Sequence, residues 1–314
     1  MLPLAVVHYS ADDPRSSVGG VQRFARNLER IFAEVRFLTP RSRDRALLLQ
    51  HRIPVICDNQ LVRDWPVDYP LIGFQHGVAA VKFAATRSFG HWRLARAQRR
   101  AAARPNTLWV ACAEWVGTTF AQLYGNGAAH VVYYPVDTER FDGQLANTGS
   151  RLILHDARTR HKGKHWMPRL QRAFPPWRFE PLDCPPELVP ERMRQARAFV
   201  HLSSYEGNSL VCGEAMAMNL PCLLTRVGLL RDADGPREVW ALDPRLLRGT
   251  PVALFGEVER FLASLPTRSY QPREWILAHA TLAHAEARWR QVLLDFQALS
   301  GWELGLSPEP QGQR

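Results

Sequence analysis

The sequence predicts an α/β protein built from two doubly wound domains, and three observations lead there. Short apolar runs alternate with segments of helical periodicity along the whole chain. A polar stretch containing Gly143, Asn147, Gly149 and Ser150 interrupts the alternation, which then restarts. The chain has 314 residues, 46% of them apolar, enough for real cores in two domains of ordinary size. Such an alternation is satisfied by parallel strands with helices on both faces. Ligands in these sheets bind at the carboxyl ends of the strands, and a cleft between two facing domains is the default site.

Residues 4–10 open the chain as an apolar strand. Residues 21–32 follow as a helix, with Val21, Phe24, Ala25, Leu28, Ile31 and Phe32 at helical spacing among Gln22, Arg23, Arg26, Glu29 and Arg30. Residues 35–38, 55–58 and 71–75 read as strands, 87–104 as a basic helix and 108–113 as a strand. A helix over 115–124 is closed by Gly125 as its C-cap. A strand at 131–134 precedes the polar stretch, which reads as the linker. Beyond it, strands at 151–154, 178–182, 198–203 and 222–225 alternate with helices at 164–174, 187–196 and 209–219. Helices at 257–265 and 273–299 finish the pattern. The expected division is residues 1–145, residues 146–280, a C-terminal helix over 281–305 packing back on the first domain, and a disordered tail over 306–314, rich in Pro, Gly and Gln.

The five cysteines, Cys57, Cys112, Cys184, Cys212 and Cys222, form no Cys-x-x-Cys pair, and most sit in strand-like runs. They read as reduced core residues, not a metal site. The first residues lack a basic leader and read as a strand. No apolar run approaches the ~18 residues of a membrane span. The expectation is a cytoplasmic protein, soluble or peripheral on the inner face of the membrane. The formal net charge of +10 favours anionic partners such as sugar nucleotides, lipid headgroups or nucleic acid, although an Arg-rich composition carries the same charge without one. The basic helix 87–104 places Arg87, Arg93, Arg96, Arg99, Arg100 and Arg104 among Phe89, Trp92 and Leu94. It suits an anionic membrane surface first, nucleic-acid phosphates second, and is equally read as a solvated helix face.

The chemistry concentrates between Ala198 and Thr225. Glu206 and Glu214 are the formal charges of that stretch, in Glu206-Gly-Asn208-Ser209-Leu210-Val-Cys-Gly-Glu214-Ala-Met-Ala. A strand ends before Glu206 and an all-apolar helix begins near Ser209, so that helix is buried. A carboxylate on it, Glu214, is costly unless hydrogen-bonded. Ribose hydroxyls are suitable donors. The helix start offers free N–H groups to a phosphate, and Glu206 stands beside it, placed to accept from a sugar. Alternatively, Glu214 pairs with a core Arg and Glu206 caps the helix.

With Asn219-Leu-Pro-Cys222 following, this run resembles the Glu-x7-Glu signature of retaining glycosyltransferases of family 4. Asn208, Ser209 and Asn219 stand where that family usually has Phe, Gly and Gly. Other segments resemble the family in the same order: Val18-Gly19-Gly20-Val21-Gln22 its donor-phosphate loop, Gln75-His76-Gly77 its active-site histidine, Tyr133 to Phe141 its Pro-Asn-Gly-Val-Asp run, and Asp156-Ala-Arg158-Thr-Arg160-His-Lys162-Gly163 its Arg and Lys segment. His8 stands at the end of the first strand, before the Gly pair.

The resemblance implies a GT-B fold, in which two Rossmann-like doubly wound domains face a central cleft, and a metal-independent transferase using a nucleotide-sugar donor and no cofactor. It implies that Lys162, with Arg158 or Arg160, neutralises the donor diphosphate, and that His76 contacts the sugar as a positioner. Glu206 would hold sugar hydroxyls and Glu214 the ribose. Gly19, Gly20, Asn208, Ser209 and Leu210 would complete donor binding. The acceptor is expected to be a glycan or lipid-linked hydroxyl in cell-surface polysaccharide biosynthesis. Alternatives are a same-fold transferase acting on modified DNA bases, a non-catalytic nucleotide-sugar-binding protein, and a sugar-nucleotide epimerase. Asp232-Ala-Asp234 reads as a solvated loop, not a metal motif.

Overall fold

The computed structural model describes residues 1–16, 19–42, 49–145 and 149–306. Val18 of the Gly-Gly loop, the centre of the expected linker at 146–148 and the tail over 307–314 lie outside the described residues. The chain divides into two units. One comprises Met1–Ala80, Ser88–Tyr133 and Leu282–Arg314, the other Val81–Arg87 and Tyr134–Thr281. The change of unit therefore falls after Tyr133, ahead of the polar stretch and not within it.

Among the described residues the first unit holds a six-stranded parallel sheet, ordered β2-β1-β3-β4-β5-β6. Its strands are β1 (Leu2–Tyr9), β2 (Phe32–Leu38), β3 (Val55–Asp58), β4 (Leu71–Gln75), β5 (Thr107–Ala111) and β6 (His130–Val131). β3 and β4 are buried along their whole length, as continuous apolar runs must be when helices cover both faces. The helices are α1 (Gly20–Leu28), α2 (Ala79–Thr86, which carries the chain into the second unit), α3 (Phe89–Ala102) and α4 (Glu114–Tyr124). α4 ends on Gly125 in the left-handed conformation (φ 77°). The last helix, which becomes α10 (Leu282–Ser300), belongs to this unit: Trp289 is fully buried and stacks on Phe74, and Asp295 bonds His130 at 2.8 Å.

The second unit's five-stranded parallel sheet runs β11-β10-β9-β7-β8. Its strands are β7 (Leu152–His155), β8 (Arg178–Pro181), β9 (Ala198–His201), β10 (Cys222–Thr225) and β11 (Trp240–Leu242). The helices are α5 (Met167–Ala173), α6 (Val189–Arg194), α7 (Leu210–Ala217), α8 (Pro251–Ser264) and α9 (Arg273–His279). Leu154 and Phe199 pair across adjacent strands, and Ile153, Val200, Leu223 and Phe261 belong to one core cluster.

Several expected elements differ. The first helix stops at Leu28 and Phe32 instead begins β2, paired with Leu2 of β1. The basic segment holds one helix, shorter than expected: α3 begins at Phe89 and ends at Ala102, and Arg87, with a left-handed backbone (φ 53°), separates it from α2, which was not expected. Arg104 is not on the basic face: it is buried, and its guanidinium donates to the carbonyls of Tyr69 (2.7 Å) and Pro66 (2.5 Å). The terminal helix breaks at Ala280 and Thr281, where Val136 N–H bonds the Ala280 carbonyl at 2.8 Å. β11 and the earlier start of α8 were not expected. Asp232 is buried at 8% exposure, so 232–234 is not a wholly solvated loop.

Candidate active site

In each sheet the strand order reverses at one point: between β1 and β3 in the first unit, and between β7 and β9 in the second. Adjacent chain connections leave such a point on opposite faces, so a crevice opens at the carboxyl ends of those strands. The polar residues of interest stand at these two places.

In the first unit, His8 lies near the end of β1, Asp58 ends β3 and His76 directly follows β4. Oδ1 of Asp58 lies 2.7 Å from Nε2 of His76 and 3.0 Å from Nε2 of His8. An ionised carboxylate only accepts, so both rings present N–H from Nε2. Burial alone would raise the Asp58 carboxyl. The charges of His8 and His76 and their hydrogen bonds outweigh it and hold Asp58 well below the ordinary carboxylate range. Phe24 and Phe74 pack against the His76 ring, and the side chain of Asn59 accepts from the His76 backbone N–H at 3.0 Å. These three side chains offer a His-Asp-His donor set. Ligands on a tetrahedral ion with bonds of about 2.0–2.1 Å stand roughly 3.3 Å apart. The observed contacts are shorter and have the lengths of charge-assisted hydrogen bonds.

Gly19 and Gly20 lead into α1, whose N-cap carries no side-chain hydrogen bond. A side chain at Gly20 would meet no atom within 4 Å, whereas one at Gly19 would run into Oε1 of Gln22, whose side chain folds over the entry to the helix. Backbone N–H groups at a helix start suit an anion.

In the second unit, Asp156 follows β7 and gathers two cations. Nε of Arg158 lies 2.7 Å from Oδ1 and Nζ of Lys162 lies 2.8 Å from Oδ2. Lys162 also reaches to 3.7 Å from Oε1 of Glu206, and Nε2 of His201 lies 3.0 Å from that same oxygen. Burial would raise the Glu206 carboxyl, but the hydrogen bond and charge of His201, with Lys162 behind them, bring it down to about 2. Burial likewise would lower Lys162; Glu206 and Asp156 reverse this and leave it above its ordinary value.

The Lys162 turn is fixed from two sides. The backbone N–H of Ser204 bonds the His161 carbonyl at 2.8 Å, tying the turn to the segment that carries Glu206. Gly163 adopts φ 83°, and a Cβ there would stand 2.7 Å from the Leu202 carbonyl oxygen. Glycine is therefore required on both counts.

α7 is buried at Leu210 and from Cys212 to Ala217, including Glu214 at 2% exposure. Asn208 and Ser209 are buried just before it, and Ser209, at the N-cap, makes no cap hydrogen bond. Glu206 is engaged by His201 and does not cap the helix. Asn219 takes φ 56°, a conformation glycine or asparagine tolerates best.

Thus Arg158, Lys162 and Glu206 form one connected cluster, with α7 and Glu214 next to it in sequence. Arg160 is exposed and outside the cluster. Sequence reasoning missed Asp58, Asp156 and His201, and also Lys82 on α2. Lys82 Nζ lies 6.0 Å from the Tyr205 ring centroid; burial lowers its pKa, against the opposing charge of Glu206.

Known proteins agree with this architecture. The family model for glycosyl transferases group 1 matches residues 181–239, which run from the end of β8 to the approach to β11 and include Glu206 and Glu214. No curated protein sequence matches the chain. Among solved structures, the chain is similar to sucrose-phosphate synthase from Thermosynechococcus elongatus, at 14% identity and a TM-score of 0.71, covering 94% of this chain and 99% of that one. HepE from Anabaena in complex with UDP matches at 13% identity and a TM-score of 0.66, covering 93% and 100%. WaaG, a glycosyltransferase involved in lipopolysaccharide biosynthesis, matches at 14% identity and a TM-score of 0.58, covering 96% and 100%. The fold is the one these structures share, the GT-B architecture of two Rossmann-like units. No helix among the described residues is long and apolar enough to cross a membrane.

Proposed function

We propose that the chain is a retaining glycosyltransferase of family 4 type, moving a sugar from a nucleotide-sugar donor to a hydroxyl acceptor without a metal ion. The observation that carries this reading is the Arg158–Asp156–Lys162–Glu206–His201 cluster at the switch point of the second sheet. Two cations and two carboxylates in one cluster suit the opposite needs of a diphosphate and its sugar: cations for the leaving group, acceptor oxygens for sugar hydroxyls.

In this reaction the bond from the anomeric carbon to a diphosphate oxygen breaks, and that oxygen gains negative charge. Lys162 and Arg158, with the N–H groups at the start of α7, stabilise it. Glu206 holds sugar hydroxyls, Glu214 the ribose, and His76 positions the sugar. Gly19, Gly20, Asn208, Ser209 and Leu210 complete donor binding. The acceptor hydroxyl enters on the face the diphosphate leaves, its oxygen bonds the anomeric carbon as its proton passes to the departing diphosphate oxygen, and the configuration is retained. HepE, similar in fold, has been solved with UDP and with UDP-glucose, which puts UDP-sugars first among the donors.

A lipid-linked acceptor at an anionic membrane surface suits α3. Phe89 is 69% and Trp92 38% exposed, their rings stack at 5.3 Å, and Arg96 lies over Trp92. Exposed aromatics interleaved with arginine suit an interfacial helix.

The test is thermal stability against UDP, GDP, ADP, CMP and dTDP compounds and their sugars. A ligand bound only by the native state adds roughly 2.7 kcal/mol at a hundredfold excess over Kd. A melting shift confined to one nucleotide series supports the reading. No shift with any of them counts against it.

A further inference from the structure

Beyond Leu230 and Pro236, which it shares with the small pocket that Glu206 lines, the second unit carries a concavity of about 680 Å³ beside β11, lined by the loop after β10 and by α8. Four arginines face it, Arg226, Arg237, Arg260 and Arg268, against two carboxylates, Asp232 and Glu257. Glu257 is already engaged: it pairs with Arg260 and accepts from Trp240 Nε1 at 3.1 Å. Asp232 is buried. Arg268 is held over aromatic faces, 4.7 Å from the Tyr270 centroid and 6.0 Å from that of Trp240. Among the described residues, no carboxylate lies within ion-pairing distance of Arg226, Arg237 or Arg268.

We infer that this concavity is a binding site for a small phosphate-bearing ligand, separate from the Glu206 cluster. Guanidinium groups bind phosphate oxygens in pairs through a fixed fork of N–H donors. Several of them converging on one hollow raise the local potential for an anion. The volume suits a ligand up to the size of a sugar phosphate or nucleotide. Pre-positioning of Arg268 by Tyr270 and Trp240 lowers the entropy lost on binding. The inference does not depend on the transferase reading.

The test is calorimetric titration of the full chain with inorganic phosphate, glucose 6-phosphate, UDP and, as the uncharged control, glucose. Saturable binding of inorganic phosphate or glucose 6-phosphate, with none of glucose, is expected; UDP binding counts only where Lys162→Ala retains it, since the proposed donor site takes UDP as well. The probe that binds best distinguishes a bare ion, a phosphorylated sugar and a nucleotide. Arg226→Ala/Arg268→Ala should weaken it by roughly tenfold or more, and Lys162→Ala should leave it unchanged. Arg268→Lys, which keeps the charge but removes the fork, serves if the double variant does not fold, and should weaken binding severalfold. The inference is overturned by no saturation with any phosphate compound, by unaltered affinity in the folded arginine variants, or by loss of that binding in Lys162→Ala.

Discussion

Nε2 of His76 lies 2.7 Å from Oδ1 of Asp58, an oxygen that also accepts from His8. The carboxylate therefore decides which ring nitrogen of His76 carries a proton and which way the ring faces. Asp58→Asn keeps the shape but removes the charge. The expected result is a loss in kcat of roughly 10²-fold, the scale of a misplaced catalytic contact, with donor affinity retained. Steady-state kinetics on the variant check this; unchanged kcat would remove His76 from the reaction.

Glu206 ionises in the folded chain at about 2 instead of 4.5. A depressed carboxylate stabilises the fold above its unfolded value, and that contribution disappears as the pH falls through the folded value. Its size is at most roughly 3 kcal/mol. The melting temperature of the wild type should therefore fall more steeply between about pH 5 and pH 2.5 than that of Glu206→Gln. Parallel curves would show that the His201 and Lys162 contacts contribute nothing to stability.

Gly163→Ala should destabilise the protein by roughly 1–3 kcal/mol, because the left-handed backbone and the Leu202 carbonyl both resist a Cβ. It should also weaken nucleotide binding, since Lys162 is the preceding residue. Chemical denaturation and nucleotide titration measure the two effects. A variant as stable as wild type would mean that the turn relaxes freely.

Phe89→Ser/Trp92→Ser should reduce cosedimentation with vesicles containing anionic lipid and leave melting temperature nearly unchanged, as both side chains are exposed. Binding to neutral vesicles should be weak throughout, and salt should weaken the anionic case. Salt-sensitive binding to duplex DNA instead of vesicles would favour the nucleic-acid alternative.

Much of the architecture was legible in local pattern. The all-apolar run that becomes α7, the C-cap at Gly125 and the strand endings before His76 and Asp156 follow from periodicity and turn chemistry. What stayed hidden is what topology brings together. His8 and Asp58 are 50 residues apart in sequence, and meet only because β3 pairs with β1. His201 closes a short apolar strand and reads locally as core. Lys82 lies on α2, an eight-residue helix in a stretch left without an element between the strand at 71–75 and the basic helix. β11 is three residues long and is defined by pairing with β10, not by its own composition.

The most direct test of the central claim is donor-dependent release of nucleoside diphosphate, measured with sugar acceptors for the wild type and Glu206→Gln. The account predicts that the wild type consumes one nucleotide-sugar series. It predicts that Glu206→Gln, folded and destabilised at neutral pH by no more than the loss expected above, is slower by at least roughly 10²-fold. Full activity in that variant, or no turnover of any donor by the wild type, would contradict it.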